Sequence, residues 1–139
     1  MASQASSEGK EPRQRGVSLR VLLVDDHRVM RHGLSTLLAA QPDLEVVGEA
    51  GDGREGVRLA GELAPDVVLM DVAMPEMDGV EATRRIREQL PGTRVIGLSM
   101  LEDVGVGRRM LEAGAEVFLS KAGSSDGLLA AIRGDGGKG

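Results

Sequence analysis

The sequence predicts a doubly wound α/β sandwich, in which five parallel strands alternate with five helices. Two observations predict this class: short aliphatic runs recur along the chain, and a helix-like stretch follows each of them. The centres of the runs are spaced by roughly 20 to 30 residues, which is the length of one strand plus one helix. Right-handed crossovers restrict the topology, and the strand order 2-1-3-4-5 is one of the two common solutions.

The predicted strands are the aliphatic runs, and three of them are almost purely aliphatic, as in strands that are buried on both faces. In chain order they are Arg20–Val24, Leu44–Val47, Val67–Met70, Arg94–Leu98 and Glu116–Leu119. The predicted helices lie after them, where apolar residues recur at helical spacing. In chain order they are His27–Gln41, Gly53–Leu63, Gly79–Leu90, Glu102–Ala113 and Ser124–Arg133. Ser124 or Ser125 is the expected N-cap of the last helix.

Length, composition and charge exclude several classes of protein. A chain of 139 residues with 41% hydrophobic and 28% charged residues is typical of one globular domain. The absence of cysteine excludes a disulfide scaffold, a zinc–thiolate site and a thiol nucleophile. The net charge of −5 argues against nucleic-acid contact by this chain itself. No apolar run approaches the ~20 residues of a membrane span, and the first residues are polar, so we expect a cytoplasmic protein.

Polar, aperiodic segments flank the predicted domain. Residues 1–17 are expected to form a disordered tail or a linker, and residues 134–139, which contain GDGGKG, a flexible tail. The folded domain is therefore expected over residues 18–133. Linker-like segments at both ends favour a domain excised from a longer chain.

Acidic residues follow the two strands that flank the expected switch point. Asp25 and Asp26 follow the first strand, and Asp71 follows the third. In this topology the three carboxylates converge, and their mutual repulsion requires compensation by a cation or by protonation. Oxygen ligands of this kind suit Mg²⁺. The alternative is that these acids are solvated turn residues or helix caps, with Asp26 capping the helix that starts at His27.

A hydroxyl and an amine follow the next two strands. Ser99 ends the fourth strand and Lys121 follows the fifth, and together they suit the oxygens of a phosphoryl group. An aspartate can itself be the nucleophile and form an aspartyl phosphate. The two histidines, His27 and His32, are expected to have surface or capping roles.

Four motifs carry a resemblance to a known family: LLVDDH at Leu22–His27, LMDVAMPEMDG at Leu69–Gly79, GLSM at Gly97–Met100, and FLSK at Phe118–Lys121. On these motifs, about Ser18 to Arg133 resembles the receiver domain of a two-component response regulator, which implies a flavodoxin-like (βα)5 fold. The segment LEAGAEVFLSK resembles most the subfamily that carries a LuxR-type helix-turn-helix output domain.

The resemblance implies a phosphoacceptor site. Asp71 would accept the phosphoryl group, and Asp26 and Asp71 would bind Mg²⁺ directly with the backbone carbonyl of Ala73. Asp25 would act largely through a metal-bound water, and Lys121 would pair with a phosphoryl oxygen. The donor would be a histidine kinase or a histidine phosphotransfer domain. The protein would be a signalling phosphoacceptor that catalyses only its own phosphorylation and dephosphorylation.

The resemblance also implies a switch. Ser99 would move toward the phosphoryl group and Phe118 would turn inward, which changes the face formed by helix 4, strand 5 and helix 5. A homodimer through that face is an expectation of the family. Two rival hypotheses are a pseudo-receiver that serves as an interaction module and a Mg²⁺-dependent phosphohydrolase with an aspartate nucleophile.

Two local features distinguish this chain. Gly105 and Gly107 lie within the predicted fourth helix, where each costs about 0.5–1 kcal/mol relative to alanine. Either this helix frays or starts late without phosphorylation, or the glycines permit close packing. Met100 follows Ser99, where the family usually has alanine or glycine, and its bulk is expected to narrow access to the site.

Overall fold

The structure is a computed structural model that describes residues 18–74, 77–100 and 104–134. Strands and helices alternate from the first element to the last. The strands are β1 (Leu19–Val24), β2 (Leu44–Ala50), β3 (Val67–Asp71), β4 (Arg94–Ser99) and β5 (Val117–Ser120). The helices are α1 (Arg28–Ala39), α2 (Gly53–Leu63), α3 (Gly79–Gln89), α4 (Val104–Ala113) and α5 (Ser125–Arg133).

The five strands form one parallel sheet in the order β2-β1-β3-β4-β5, which confirms the predicted topology. Helices cover both faces, so each strand divides its side chains between two cores. From β1, Val21 and Leu23 pack with residues of α1 and α5, while Leu22 and Val24 pack with residues of α2, α3 and α4. All four side chains are fully buried, as expected for a central strand of aliphatic residues.

The largest difference from the predicted elements is in β2, which continues to Ala50 rather than ending at Val47. Val21 pairs with Val46 and Leu22 pairs with Gly48, so an irregularity at Val47 interrupts the register. The residues after it, Gly48 and Glu49, have no aliphatic pattern, and their strand conformation depends on pairing with β1.

Helix starts follow ordinary capping chemistry in three cases. The side chains of Asp52, Asp78 and Ser124 accept hydrogen bonds from backbone N–H groups in the first turns of α2, α3 and α5. The Ser124 cap was one of the two predicted. The described part of α4 begins at Val104, and residues 102 and 103 of the predicted helix lie outside the described residues. The late start or fraying of this helix therefore stays a prediction.

Among the described helices, none has both the length and the hydropathy that a membrane span requires.

Candidate functional site

Three carboxylates meet at the carboxyl ends of β1 and β3, which are adjacent in the sheet. Asp25 follows β1 and Asp71 ends β3, and each residue is only 2% exposed. The side chain of Asp26 is 29% exposed. Carboxylate oxygens of Asp25, Asp26 and Asp71 and a ring nitrogen of His27 all lie within 4.8 Å of one another. The structure therefore brings the three predicted acids into one cluster at the topological switch point.

A buried lysine lies against the two buried acids. The Lys121 backbone N–H donates to the Ser99 carbonyl (2.8 Å), which holds the residue in line with the end of β4. The Lys121 side chain is 1% exposed, with Nζ 2.7 Å from Asp25 Oδ2 and 3.5 Å from Asp71 Oδ1. One buried ammonium thus faces two buried carboxylates, and the cluster retains an excess of negative charge.

Burial shifts the titration of Asp71. The pKa of its carboxyl group is raised from 3.8 to about 6, mainly by desolvation and also by the charge of Asp25 and a contact with Asp26. The Lys121 ammonium and the Ala73 N–H oppose this increase in pKa. A bound cation near these oxygens would favour the ionised form of Asp71.

The loop after β3 is held close to Asp71. The Ala73 N–H donates to Asp71 Oδ1 over 3.4 Å, and the Gly79 N–H donates to the Val72 carbonyl over 2.9 Å. Residues of this loop and of α4 line an open cleft beside the acids, with a volume of about 510 Å³. Its lining residues are Asp26, Val72, Ala73, Met74, Asp78, Val80, Val106 and Arg109.

The two predicted switch residues lie on β4 and β5, which follow β3 in the sheet on the side away from β1. Ser99 is buried at the end of β4. Phe118 is half-buried in β5 and packs in the core under α4, and a Cβ built at Gly97 or Gly107 would lie within 3 Å of its ring. Met100 is 54% exposed, so its side chain is not part of the core.

His27 is exposed, as expected for a surface residue, but its ring also contacts the acid cluster. It occupies the N-cap position of α1, but its side chain makes no capping hydrogen bond. Its Nδ1 instead lies 3.1 Å from Asp25 Oδ1, 3.3 Å from Asp26 Oδ1 and 3.7 Å from Asp71 Oδ2. The available signal was its position next to the acid pair. The other histidine, His32, is exposed on α1, as expected.

The fold is a doubly wound sheet with buried acids and a buried lysine at its switch point. These features place the protein in the class of α/β proteins whose ligand site lies at the strand ends. Residues 21–133 match the family model of the response regulator receiver domain, and the chain belongs to this family. It is a receiver domain of the response regulators of two-component systems, which are signalling proteins.

The proteins to which the chain is similar support its assignment to this family. The chain is 50% identical over 115 residues to the transcriptional regulatory protein LiaR of Bacillus subtilis, which covers 83% of this chain and 54% of that protein. A solved LuxR-family response regulator from Aurantimonas has a TM-score of 0.77 and 34% identity, covering 84% of this chain and 86% of the other. The solved CheX–CheY–BeF3–Mg complex of Borrelia burgdorferi matches with a TM-score of 0.80 and 27% identity, covering 87% and 91%.

The chain spans about half the length of the curated relatives that it matches. A LuxR-family response regulator is among the solved structures that the chain matches, in agreement with the subfamily that the sequence resembles.

Proposed function

We propose that the chain is the phosphoacceptor of a two-component phosphorelay, with Asp71 accepting the phosphoryl group. The observation that carries this proposal is the environment of the Asp71 carboxylate. It is buried at the switch point beside the buried Lys121 ammonium, and its Oδ2 has no hydrogen-bond partner among the described residues. A buried carboxylate oxygen without a partner costs free energy, and such groups are concentrated at functional sites.

The residues at the site fit Mg²⁺. Asp71 Oδ2 is an unpartnered buried oxygen, and three carboxylates outnumber the single buried lysine. Asp25, Asp26, Asp71 and the backbone carbonyl of Ala73 would hold the ion, which would supply positive charge to the phosphoryl oxygens.

In the proposed reaction, an oxygen of Asp71 forms a bond to phosphorus while the bond between phosphorus and the donor breaks. The donor is a phosphohistidine of a histidine kinase or of a phosphotransfer domain, with a proton on its other ring nitrogen. The electron pair of the broken P–N bond returns to the ring, so the histidine leaves as the neutral imidazole. Lys121 pairs with a phosphoryl oxygen, which replaces part of its present interaction with Asp71. The chain catalyses only its own phosphorylation and dephosphorylation.

Transmission of the signal is proposed to run along β4 and β5 to α4. Ser99 lies at the site end of β4, and its carbonyl accepts from the Lys121 N–H. Two residues earlier on β4, Gly97 contacts the Phe118 ring, which in turn contacts Gly107 of α4. A displacement of Ser99 toward the phosphoryl group would alter this packing and the face formed by α4, β5 and α5. A homodimer through that face is one proposed consequence.

The test is the intact mass of the protein after incubation with acetyl phosphate and Mg²⁺. We expect one added phosphoryl group in the wild type, and none in Asp71→Ala, in Asp71→Asn or after Mg²⁺ is chelated. Asp71→Asn preserves the shape of the side chain, so it separates lost chemistry from lost folding. A folded wild type that binds Mg²⁺ and gains no phosphoryl group would refute the proposal in favour of a pseudo-receiver.

A further inference from the structure

The imidazole of His27 lies inside the acid cluster even though 55% of its side chain is exposed. Its Nδ1 faces an oxygen of each of the three acids, at 3.1 Å from Asp25 Oδ1, 3.3 Å from Asp26 Oδ1 and 3.7 Å from Asp71 Oδ2. This residue has no part in the proposed phosphoryl transfer, so its place among the carboxylates needs a separate explanation.

The backbone of His27 is anchored beside the acids. Its N–H donates to Asp25 Oδ1 over 2.8 Å, and its carbonyl accepts from the Arg31 N–H over 2.9 Å in the first turn of α1. The residue is extended, with φ −91° and ψ 100°, as is usual at an N-cap. Because both backbone groups are bonded, the backbone of His27 is fixed next to the acid pair, within reach of the carboxylates.

The separations resemble those within a coordination shell. In an octahedral site with bonds of about 2.1 Å, neighbouring ligand atoms lie about 3 Å apart. The distances from Nδ1 to Asp25 Oδ1 (3.1 Å) and Asp26 Oδ1 (3.3 Å) are close to this value, and the distance to Asp71 Oδ2 is longer, at 3.7 Å. A cation among them would therefore contact a nitrogen as well as oxygens.

The lysine does not compete for the same oxygens. Lys121 Nζ lies nearest to Asp25 Oδ2 and Asp71 Oδ1, whereas His27 Nδ1 faces Asp25 Oδ1 and Asp71 Oδ2. Asp71 Oδ2 is buried and has no hydrogen-bond partner among the described residues, since 3.7 Å is too long for a hydrogen bond. The oxygens on the histidine side thus remain available to a cation. Lys121 Nζ also lies 3.4 Å from His27 Nδ1, so the ammonium has to withdraw from that nitrogen when a cation binds there.

We infer that His27 Nδ1 is a ligand of the metal site and that it widens the choice of metal beyond Mg²⁺. This inference rests on the proposed function, because it concerns the same site. An imidazole nitrogen adds little for Mg²⁺, which prefers oxygen, but it strengthens the binding of Co²⁺, Ni²⁺ and Zn²⁺. The neutral ring coordinates through the Nδ1 lone pair and keeps its proton on Nε2. The receiver would therefore bind borderline divalent cations more tightly than an all-oxygen site does.

The first experiment is calorimetric titration of the metal-free protein with Ni²⁺ and, separately, with Mg²⁺. His27→Asn replaces the Nδ1 donor by an amide oxygen at the same position in the side chain. We expect this variant to bind Ni²⁺ about tenfold more weakly or worse, with Mg²⁺ affinity changed less than about twofold. His32→Asn, which alters the exposed histidine on α1, is the matched control and should bind both ions as the wild type does. Equal changes for the two ions, or no change for either, would overturn the inference.

The second experiment is pulsed electron paramagnetic resonance with bound Mn²⁺, which occupies the same oxygen-rich sites as Mg²⁺. We expect modulation from an imidazole nitrogen in the wild type and in His32→Asn, and none in His27→Asn. Asp71→Asn should weaken Mn²⁺ binding, which assigns the signal to this cluster. Bound Mn²⁺ without nitrogen modulation in the wild type would refute the role of His27 and leave the phosphoacceptor proposal intact. Failure of the wild type to bind either Mg²⁺ or Mn²⁺ would instead refute the proposed metal site as a whole.

Discussion

Replacement of Gly107 by alanine tests the contact that joins α4 to β5. Gly107 is buried, and a Cβ built on it would lie 2.9 Å from Cδ2 and 3.4 Å from Cε2 of Phe118. An ordinary carbon–carbon contact is about 3.5–4.0 Å, so the ring has to move by more than half an ångström. The ring lies close over Gly97, where a built Cβ would be 2.8 Å from Cδ1, so there is little room for it to move toward β4.

The expected change in the free energy of unfolding of Gly107→Ala follows from two opposing effects. Removing a glycine from a helix stabilises the fold by up to about 1 kcal/mol, whereas overpacking in a filled core costs about 1–3 kcal/mol. Gly33 in α1 is the matched control, because its Cβ would meet nothing within 4 Å. We expect Gly33→Ala to be more stable than the wild type by about 0.5–1 kcal/mol. Gly107→Ala should be less stable than Gly33→Ala by about 1–3 kcal/mol.

Urea denaturation followed by far-ultraviolet circular dichroism measures both stabilities. Intrinsic fluorescence does not serve here because the chain has no tryptophan or tyrosine. Phe118 is the single phenylalanine, so fluorophenylalanine labelling yields one resonance that reports the displaced ring. Equal stabilisation of the two variants with an unmoved fluorine resonance would refute the packing argument. That result would leave fraying of α4 as the explanation of its glycines.

Three further predictions concern the acid cluster. Burial raises the pKa of Asp71 to about 6, so the folded state favours the neutral carboxyl group more than the unfolded state does. The contribution of this group to the free energy of unfolding is therefore full below pH 4 and is lost as pH rises through 6. Without metal, the wild type should therefore lose stability relative to Asp71→Asn between pH 4 and pH 7, and parallel pH curves would contradict this. Lys121→Met leaves Asp25 and Asp71 without their buried ammonium, so we expect a loss of about 3–5 kcal/mol in urea denaturation at pH 7, partly restored by Mg²⁺. In Gly79→Ala the new Cβ would lie 2.2 Å from the Asp71 carbonyl oxygen, so phosphorylation and stability should both fall, by more than about 2 kcal/mol for stability. The control Gly92→Ala, whose Cβ meets nothing within 4 Å, should retain both.

Much of the fold could be predicted because strands and helices of this class have distinct local patterns. The run Val67–Met70 is buried at every position, and an aliphatic run of that length predicts an interior parallel strand. The end of β2 could not be predicted, since Gly48 and Glu49 become strand residues through pairing with β1 rather than through their own pattern. The start of α1 was predicted at His27, and the helix begins one residue later, at Arg28.

Sequence alone determined that Asp25, Asp26, Asp71 and Lys121 share one edge of the sheet, because strand ends in a known order occupy known places. Their metal-binding and phosphoacceptor roles stay predictions. Only the tertiary structure decided how individual atoms face one another. Lys121 contacts one oxygen of each buried acid, and His27 faces the other oxygen of each. Such contacts depend on side-chain orientation between elements distant in the chain, and packing rather than local pattern sets that orientation.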